Sequence, residues 1–178
     1  MSVASWFSKM TGNAQSLNHL DDLLVEQLRD LYDAESRLIS ALPKMAEAAH
    51  DPSLKQAFRS HLRETEGHKR RLEEAFRELG QEARAETCEA MQGLIAEGQE
   101  MIDLEGDSTV KDAGLIAAAQ RVEHYEIAGY GCARTFARRL GRDDIARLLK
   151  ETLDEESAAD HKLTQIAEST INAVAAHR

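Results

Sequence analysis

The chain has 178 residues, a formal charge of -10, ten glycines and only two prolines. This length fits one domain with its own core, and so few turn residues disfavour a sandwich or barrel of many strands. With 32 acidic against 22 basic residues, the surface would repel nucleic acid, and no apolar run approaches the length of a membrane span. These properties predict a soluble helical protein that binds neither nucleic acid nor membrane.

Residues 1–17 precede the first periodic segment and are predicted to be an N-terminal extension to a bundle domain over 18–178. The extension has one lysine, no continuous apolar segment and no cleavage site typical of a secretory signal, so we expect a cytoplasmic protein. Trp6, Phe7 and Met10 would form a short amphipathic element. That element would either contact a partner subunit or fold back on its own bundle.

Four long segments carry apolar residues at every third or fourth position, which predicts four helices. Their expected bounds are Asn18 to about Ala49, Pro52 to Gly80, about Ser108 to Leu140, and about Asp143 to Ala175. Asp51 supplies an N-cap before Pro52, a residue suited to the first helical position. Gly80 and Gly141 are expected to end the second and third helices, and Pro43 to kink the first.

Residues 81–107 carry a weaker helical stretch, with Met91, Leu94, Ile95 and Ile102, before a turn-like Glu-Gly-Asp-Ser-Thr sequence. Two helical hairpins with tight turns are therefore joined by a long connection that contains a short extra helix. The predicted fold is all-α: a four-helix bundle with one crossover, the ferritin-like arrangement. Fold class alone does not determine function, so the side chains inside the bundle have to be considered.

Every bundle helix places at least one carboxylate on its apolar stripe or at the border of that stripe, at about 100° per residue. An ionised carboxylate in an apolar interior is costly, so several of them call for a common compensating cation. The candidate metal ligands are Glu35, Glu64, His68, Glu123, Glu126, Glu156 and Asp160. His61 lies about a turn nearer the loop and is predicted to orient a ligating carboxylate instead of binding the ion itself.

The expected level of these residues along the bundle axis agrees with this assignment. In an antiparallel hairpin, residues that lie equally far before and after the turn are at the same level. Glu35 then lies level with the segment from Glu64 to His68. Glu126 and Glu123 lie level with Glu156 and Asp160, respectively. Three tyrosines near these levels would be radical sites or ordinary hydrogen-bonding groups: Tyr32, Tyr125 and Tyr130.

The two hairpins also repeat a spacing, which favours a dinuclear centre. Glu64-x-x-x-His68 on the second helix corresponds to Glu156-x-x-x-Asp160 on the fourth, and each follows a helix with an inward glutamate. This repeat predicts a pseudo-twofold relation between the hairpins. Oxygen and imidazole ligands favour two ions of iron or manganese, and zinc is also compatible.

Five segments resemble the ferritin-like superfamily and, within it, the YciE/YciF family of bacterial stress-associated proteins: LYDAESRLISAL, AFRSHLRETEG, AMQGLI, LIAAAQRVEHYEIAGYG and LLKETLDEE. The resemblance spans about residues 18 to 172. It implies a four-helix bundle with a dinuclear metal site, and a homodimer. The superfamily pattern is a glutamate on one helix and Glu-x-x-His on the next, in duplicate.

Carried onto this chain, the pattern matches Glu35 and Glu126 to the lone glutamates, and Glu64 and Glu156 to the motif glutamates. Two residues depart from the pattern where the motif histidines would stand: Gly67 and Ala159. The nearest replacements lie four residues after each motif glutamate, at His68 and Asp160. A four-residue step returns to the same helical face, but the ligand would approach the ion from a different angle.

Two functions from different classes remain open. The first is a dinuclear metal-binding protein of the ferritin-like type, with an oxidase-like activity or reactivity toward dioxygen or peroxide under stress. The second is a non-catalytic, structural stress-response oligomer whose carboxylates pair with His61, His68, Arg121 or Arg134. Iron storage in a shell, a third function, would require assembly surfaces that the sequence does not reveal.

Overall fold

Five helices account for most of the chain in the computed structural model, which describes residues 17–177. They are α1 (Leu20–Ala48), α2 (Pro52–Glu78), α3 (Glu89–Asp103), α4 (Ser108–Arg139) and α5 (Asp143–Ile166), followed by a π-helical turn (Ala167–Ile171) and the short α6 (Asn172–Ala175). The predicted all-α four-helix bundle with a crossover helix is confirmed. No helix of this described part is both long and apolar enough to cross a membrane. Most of the predicted extension over residues 1–17, with Trp6, Phe7 and Met10, lies outside the described residues.

Local signals in the sequence determine where the helices begin and end. The Asp51 side chain accepts hydrogen bonds from two backbone amides of the first turn of α2, at 2.8 and 3.0 Å, and Pro52 is the first helical residue, as predicted. Gly80 and Gly141 have φ angles of 64° and 73°, the left-handed values that close α2 and α4. α1 continues through Pro43 as one helix.

The apolar core is divided into two clusters by a layer of buried polar side chains. On α1, Leu24, Leu28 and Leu31 belong to one cluster and Leu38 to the other, with Glu35 between them. The other three long helices repeat this interruption. The buried polar residues of the layer are Glu35, His61, Thr65, His68, Glu123, Glu126, Thr152 and Glu156. Hydrophobic burial at the two ends therefore stabilises a fold that holds costly polar groups at its centre.

The crossover covers one side of the bundle. Its extended part is fastened to α1, where the Glu86 amide donates to the Arg29 carbonyl at 3.2 Å and the Cys88 amide donates to Asp33 Oδ2 at 2.8 Å. α3 then packs on α1 and α4, with Met91 fully buried. Among the described residues, the opposite seam between α2 and α5 has no such cover. Access to the polar layer is therefore easier from the α2–α5 side.

Asp112 on α4 is 1% exposed and holds the turn between α1 and α2. Its two oxygens accept from the backbone amides of His50 and Asp51, at 2.8 and 2.7 Å. Hydrogen bonds to a charged acceptor are stronger than neutral ones, so we expect Asp112→Ala to lower the free energy of unfolding by about 2 kcal/mol. Thermal denaturation should show a melting temperature lower by roughly 4–8 °C. The exposed loop variant Glu105→Ala should melt like the wild type, and an equal loss in both would contradict this role for Asp112.

Candidate metal centre

Glutamates and histidines from all four long helices meet in the polar layer. One ligand atom from each of Glu35, His68 and Glu156 lies within 4.8 Å of the other two, and the same holds for His61, Glu123 and Glu156. All five residues are buried. Because Glu156 belongs to both groups, the arrangement is two adjacent three-ligand sites that share a carboxylate.

Most of the inward-facing oxygen and nitrogen atoms of this layer lack a hydrogen-bond partner. The eight atoms are Glu35 Oε2, His61 Nε2, His68 Nδ1, Glu123 Oε2, both carboxylate oxygens of Glu126 and both of Glu156. Buried polar atoms in proteins are nearly always hydrogen-bonded, so eight atoms in one layer without a hydrogen bond require an explanation, even though His61 and His68 lie at ion-pair distance from the carboxylates. Carboxylate oxygens and imidazole nitrogens are also the donors that bind divalent transition metals. These residues therefore fit a pair of metal ions.

Each histidine of the layer is held from outside by a second carboxylate. His68 Nε2 lies 2.9 Å from Glu155 Oε2, and His61 Nδ1 lies 3.2 Å from Glu64 Oε2. When each ring loses its second proton, an N–H directed at each of these carboxylates leaves Nδ1 of His68 and Nε2 of His61 as the atoms with free lone pairs. Those two nitrogens are the unpaired ones that face the interior carboxylates, with His68 Nδ1 2.9 Å from Glu156 Oε1. A carboxylate behind each ligating histidine is common in protein metal sites.

Arg71 fixes the carboxylate behind His68. Its two terminal nitrogens donate to the two oxygens of Glu155, at 2.6 and 2.8 Å, and one of them also donates to Thr152 Oγ1 at 3.1 Å. Burial alone would raise the pKa of Glu155, but Arg71 outweighs it and the pKa is lowered. Glu155 therefore remains ionised beside His68. Sequence reasoning did not identify this pair, because it joins two helices that are far apart in the chain.

Of the three tyrosines near this level, Tyr130 contacts the layer directly. It is fully buried, and its hydroxyl donates to Glu35 Oε1 at 2.5 Å, which leaves Glu35 Oε2 unpaired. Burial raises the pKa of Tyr130 well above its usual value, so the hydroxyl keeps its proton. The hydroxyls of Tyr32 and Tyr125 instead bond to carboxylates outside the layer. Tyr130 therefore orients one candidate ligand.

The buried charges shift one another's pKa values strongly. Burial by itself would lower the pKa of each histidine, but the neighbouring carboxylates raise it to about 9 for His61 and about 10 for His68. Burial raises the pKa of Glu123 and Glu126 well above the usual range, and repulsion from Glu156 adds to the effect. For Glu156, burial also acts upward, but the two histidines outweigh it and lower the pKa. The layer therefore retains protons near neutral pH that an incoming cation would displace.

Four of the seven predicted ligands belong to the two groups: Glu35, His68, Glu123 and Glu156. Glu126 lies beside the groups, fully buried, with both of its oxygens unpaired. Glu64, with 43% of its side chain exposed, lies outside both groups and contacts His61. Asp160 also lies outside, where it accepts from Gln120 Nε2 at 2.9 Å. His61, predicted to orient a carboxylate, contacts Glu64 through Nδ1 and also directs Nε2 at the interior carboxylates.

The spacing from His61 to His68 in the sequence indicates a shared helical face, but it does not determine how far that face turns inward. The two are seven residues apart, which is close to two helical turns and places both on one face of α2, with ring centroids 6.0 Å apart. Both histidines of the two groups thus come from α2, whereas α5 contributes only Glu156. The predicted twofold relation therefore does not extend to the histidines.

The two groups differ in their access from outside. His61 and Glu123 line a groove of about 550 Å³ between α2 and α5, whereas Glu35 and His68 do not. Glu35 and His68 are 0% exposed. A molecule that enters through this groove would reach the His61 group first.

The comparisons with known proteins agree on one family. The family described as a domain of unknown function, DUF892, matches residues 19–176. Protein YciF of Escherichia coli (strain K12) is 44% identical over 158 residues, which are 88% of this chain and 95% of that protein.

Two solved structures are close to this chain over most of their length. The E. coli stress protein YciF has a TM-score of 0.84 at 44% identity, and the match covers 88% of this chain and 99% of YciF. YcfI, described as "a putative structural protein from Rhodopseudomonas palustris", has a TM-score of 0.82 at 45% identity, over 85% of this chain and 96% of YcfI. The similarity therefore includes all four long helices.

Proposed function

From the premise that this chain belongs to the DUF892 family, together with the YciF proteins, we propose that it is a dinuclear metal-binding protein. Glu35 and His68 would hold one ion, His61 and Glu123 would hold the other, and Glu156 would bridge the two. The observation that carries this proposal is the set of eight buried atoms without hydrogen-bond partners in one layer.

The charges of the layer support two ions. Four buried glutamates, counting Glu126 as a further ligand, balance two divalent cations when all four are ionised. The ligand chemistry favours iron or manganese, and zinc is also compatible. We also propose a homodimer, from the resemblance to the YciE/YciF family, and a cytoplasmic location, from the sequence of the N-terminal segment.

The proposed activity is a reaction with dioxygen or peroxide, for which iron or manganese would supply the redox chemistry. The residues of the chain would position the ligands: Tyr130 holds Glu35, and Arg71 and Glu155 hold His68. The two apolar clusters exclude water from both ends of the layer. E. coli YciF is described as a stress protein, and removal of an oxidant would be a suitable role under stress.

Metal analysis of protein purified without chelator tests the binding proposal. We expect two ions per chain in the wild type and close to none in Glu35→Ala/Glu156→Ala, because both groups lose a carboxylate. The matched control is Glu66→Ala/Glu168→Ala, which removes two exposed glutamates and should keep both ions. If the wild type carries no more metal than the double variant, the dinuclear site is disproved.

Reactivity requires a separate measurement. Protein loaded with Fe(II) without oxygen, and then exposed to it, should consume oxygen and develop a near-ultraviolet absorption band. The Glu35→Ala/Glu156→Ala variant under the same conditions gives the background rate. Bound metal without faster oxygen consumption would identify a metal-stabilised structural protein instead.

The second candidate, a structural oligomer without turnover, is favoured by two observations. The relative from R. palustris is described as structural, and His61 and His68 face the buried carboxylates closely enough to offset part of their charge. Arg121, predicted as another internal partner, instead pairs with Glu97 at the surface, at 3.8 Å. A melting temperature that does not change when Mn(II) is added would support this candidate.

A further inference from the structure

The groove between α2 and α5 has the size and lining of a small-molecule site. Its volume of about 550 Å³ lies within the usual range for such sites. Ala57 and Phe58 of α2 and Ala158, Ala159 and Leu163 of α5 form its apolar walls. Metal ions and dioxygen need no apolar cavity of this size, so the walls point to an organic ligand.

The two ends of the groove differ in how their charges are paired. At the inner end, the carboxylates are already paired with cations: Glu64 and Glu123 lie 3.2 and 3.4 Å from the two nitrogens of His61, and Glu155 is held by Arg71. At the outer end lies Lys162, which is exposed and has no ion pair with any residue between 17 and 177. An anionic group is therefore favoured at Lys162, which has no partner of its own in the described part of the chain, because His61 at the inner end already faces Glu64, Glu123 and Glu156.

The length of the groove limits the size of the ligand. Lys162 is six residues after Glu156 on α5, a rise of about 9 Å along the helix axis, which an extended eight-carbon carboxylate spans. The dimensions and the charges together describe a medium-chain ligand with one anionic end.

We propose that this groove binds a medium-chain monocarboxylate, with its carboxylate at Lys162 and its apolar chain between α2 and α5. The chain end then lies against His61 and Glu123. That placement beside an ion rests on the proposed metal-binding function, whereas binding to the groove does not. The site would thus offer an organic substrate to the more accessible of the two metal positions.

Octanoate titrated into metal-free protein, followed by calorimetry or ligand NMR, tests the binding. Ala159→Trp fills the groove and should abolish binding, whereas the control Ala128→Trp, at an exposed site on α4, should bind like the wild type. Lys162→Glu should weaken binding by about fivefold or more, and Lys55→Glu, the same charge change outside the groove, should have no effect. No octanoate binding by the wild type at millimolar concentration, as expected if a second copy covers the groove, overturns the proposal.

Paramagnetic relaxation tests the orientation. With Mn(II)-loaded protein, the terminal methyl protons of octanoate should broaden more than the protons beside its carboxylate, and Zn(II)-loaded protein should show no such difference. Stronger broadening beside the carboxylate would overturn the proposed orientation. A protein that binds octanoate but no Mn(II) disproves the proposed function and supports the groove. One that binds Mn(II) but no octanoate disproves the groove alone.

Discussion

Glu156→Gln is expected to remove both bound ions, whereas His61→Ala should remove only one. Glu156 is the residue shared by the two three-ligand groups, and His61 belongs to one of them. A glutamine keeps the volume of the side chain but loses the charge that the ions require, so affinity at both positions should fall by at least about a hundredfold. Equilibrium dialysis against Mn(II), followed by metal analysis, measures the stoichiometry directly.

Three controls make this comparison decisive. Glu66→Gln is the same chemical change at an exposed site and should retain two ions. Glu123→Gln should match His61→Ala, because both residues belong to the same group. Circular dichroism establishes that each variant is folded. Two ions retained by Glu156→Gln would show that this residue does not bridge the sites, and loss of both by His61→Ala would show that the sites are not separable.

The stability of the metal-free protein is expected to decrease as the pH rises from about 6.5 to 10. His61 and His68 have pKa values of about 9 and 10 in the folded chain, above the ordinary value of 6.5. The folded state therefore binds more protons than the unfolded state in this range, and stability falls as pH rises. The contribution is complete below pH 6.5 and is lost as the pH passes through 9 and 10.

The pKa values of Glu123 and Glu126, which burial raises well above the usual range, act in the same direction, because these carboxyls keep their protons more readily when folded. We expect a loss of about 3 kcal/mol, on the order of two pKa units of one group, and a melting temperature lower by roughly 6–12 °C. Thermal denaturation in excess chelator at pH 6.5 and at pH 9.5 measures this decrease in melting temperature.

Bound metal should remove or reverse this pH dependence, because deprotonated ligands bind the ions more tightly. His124→Gln, which removes an imidazole that is 70% exposed, should leave the dependence unchanged. A metal-free protein whose melting temperature is the same at both pH values would show that the histidines do not carry the protons of the buried layer.

Helical periodicity predicted the bundle because burial of one apolar face is a property of each helix alone. The capping residue Asp51 and the glycines at positions 80 and 141 act over a few residues, so the helix ends were also predictable. The same periodicity placed Glu35 and Glu156 on the buried side of their helices, since a carboxylate within an apolar stripe has no route to water.

Residues at the border of a stripe could not be placed in this way. Glu64, His61 and Asp160 lie within reach of both the interior and the surface, and small rotations of the packed helices decide between the two. The structure turns His61 inward and leaves Glu64 and Asp160 outside the two groups.

The sequence by itself determined four helices, a crossover and a level at which acidic side chains enter the core, because these follow from local periodicity and from depth. Only the tertiary structure decided which atoms meet there. The hydrogen bond from Tyr130 to Glu35 and the bidentate ion pair between Arg71 and Glu155 each join helices that are far apart in the chain. The groove beside His61 likewise depends on the distance between α2 and α5, which interhelical packing sets and no single helix encodes.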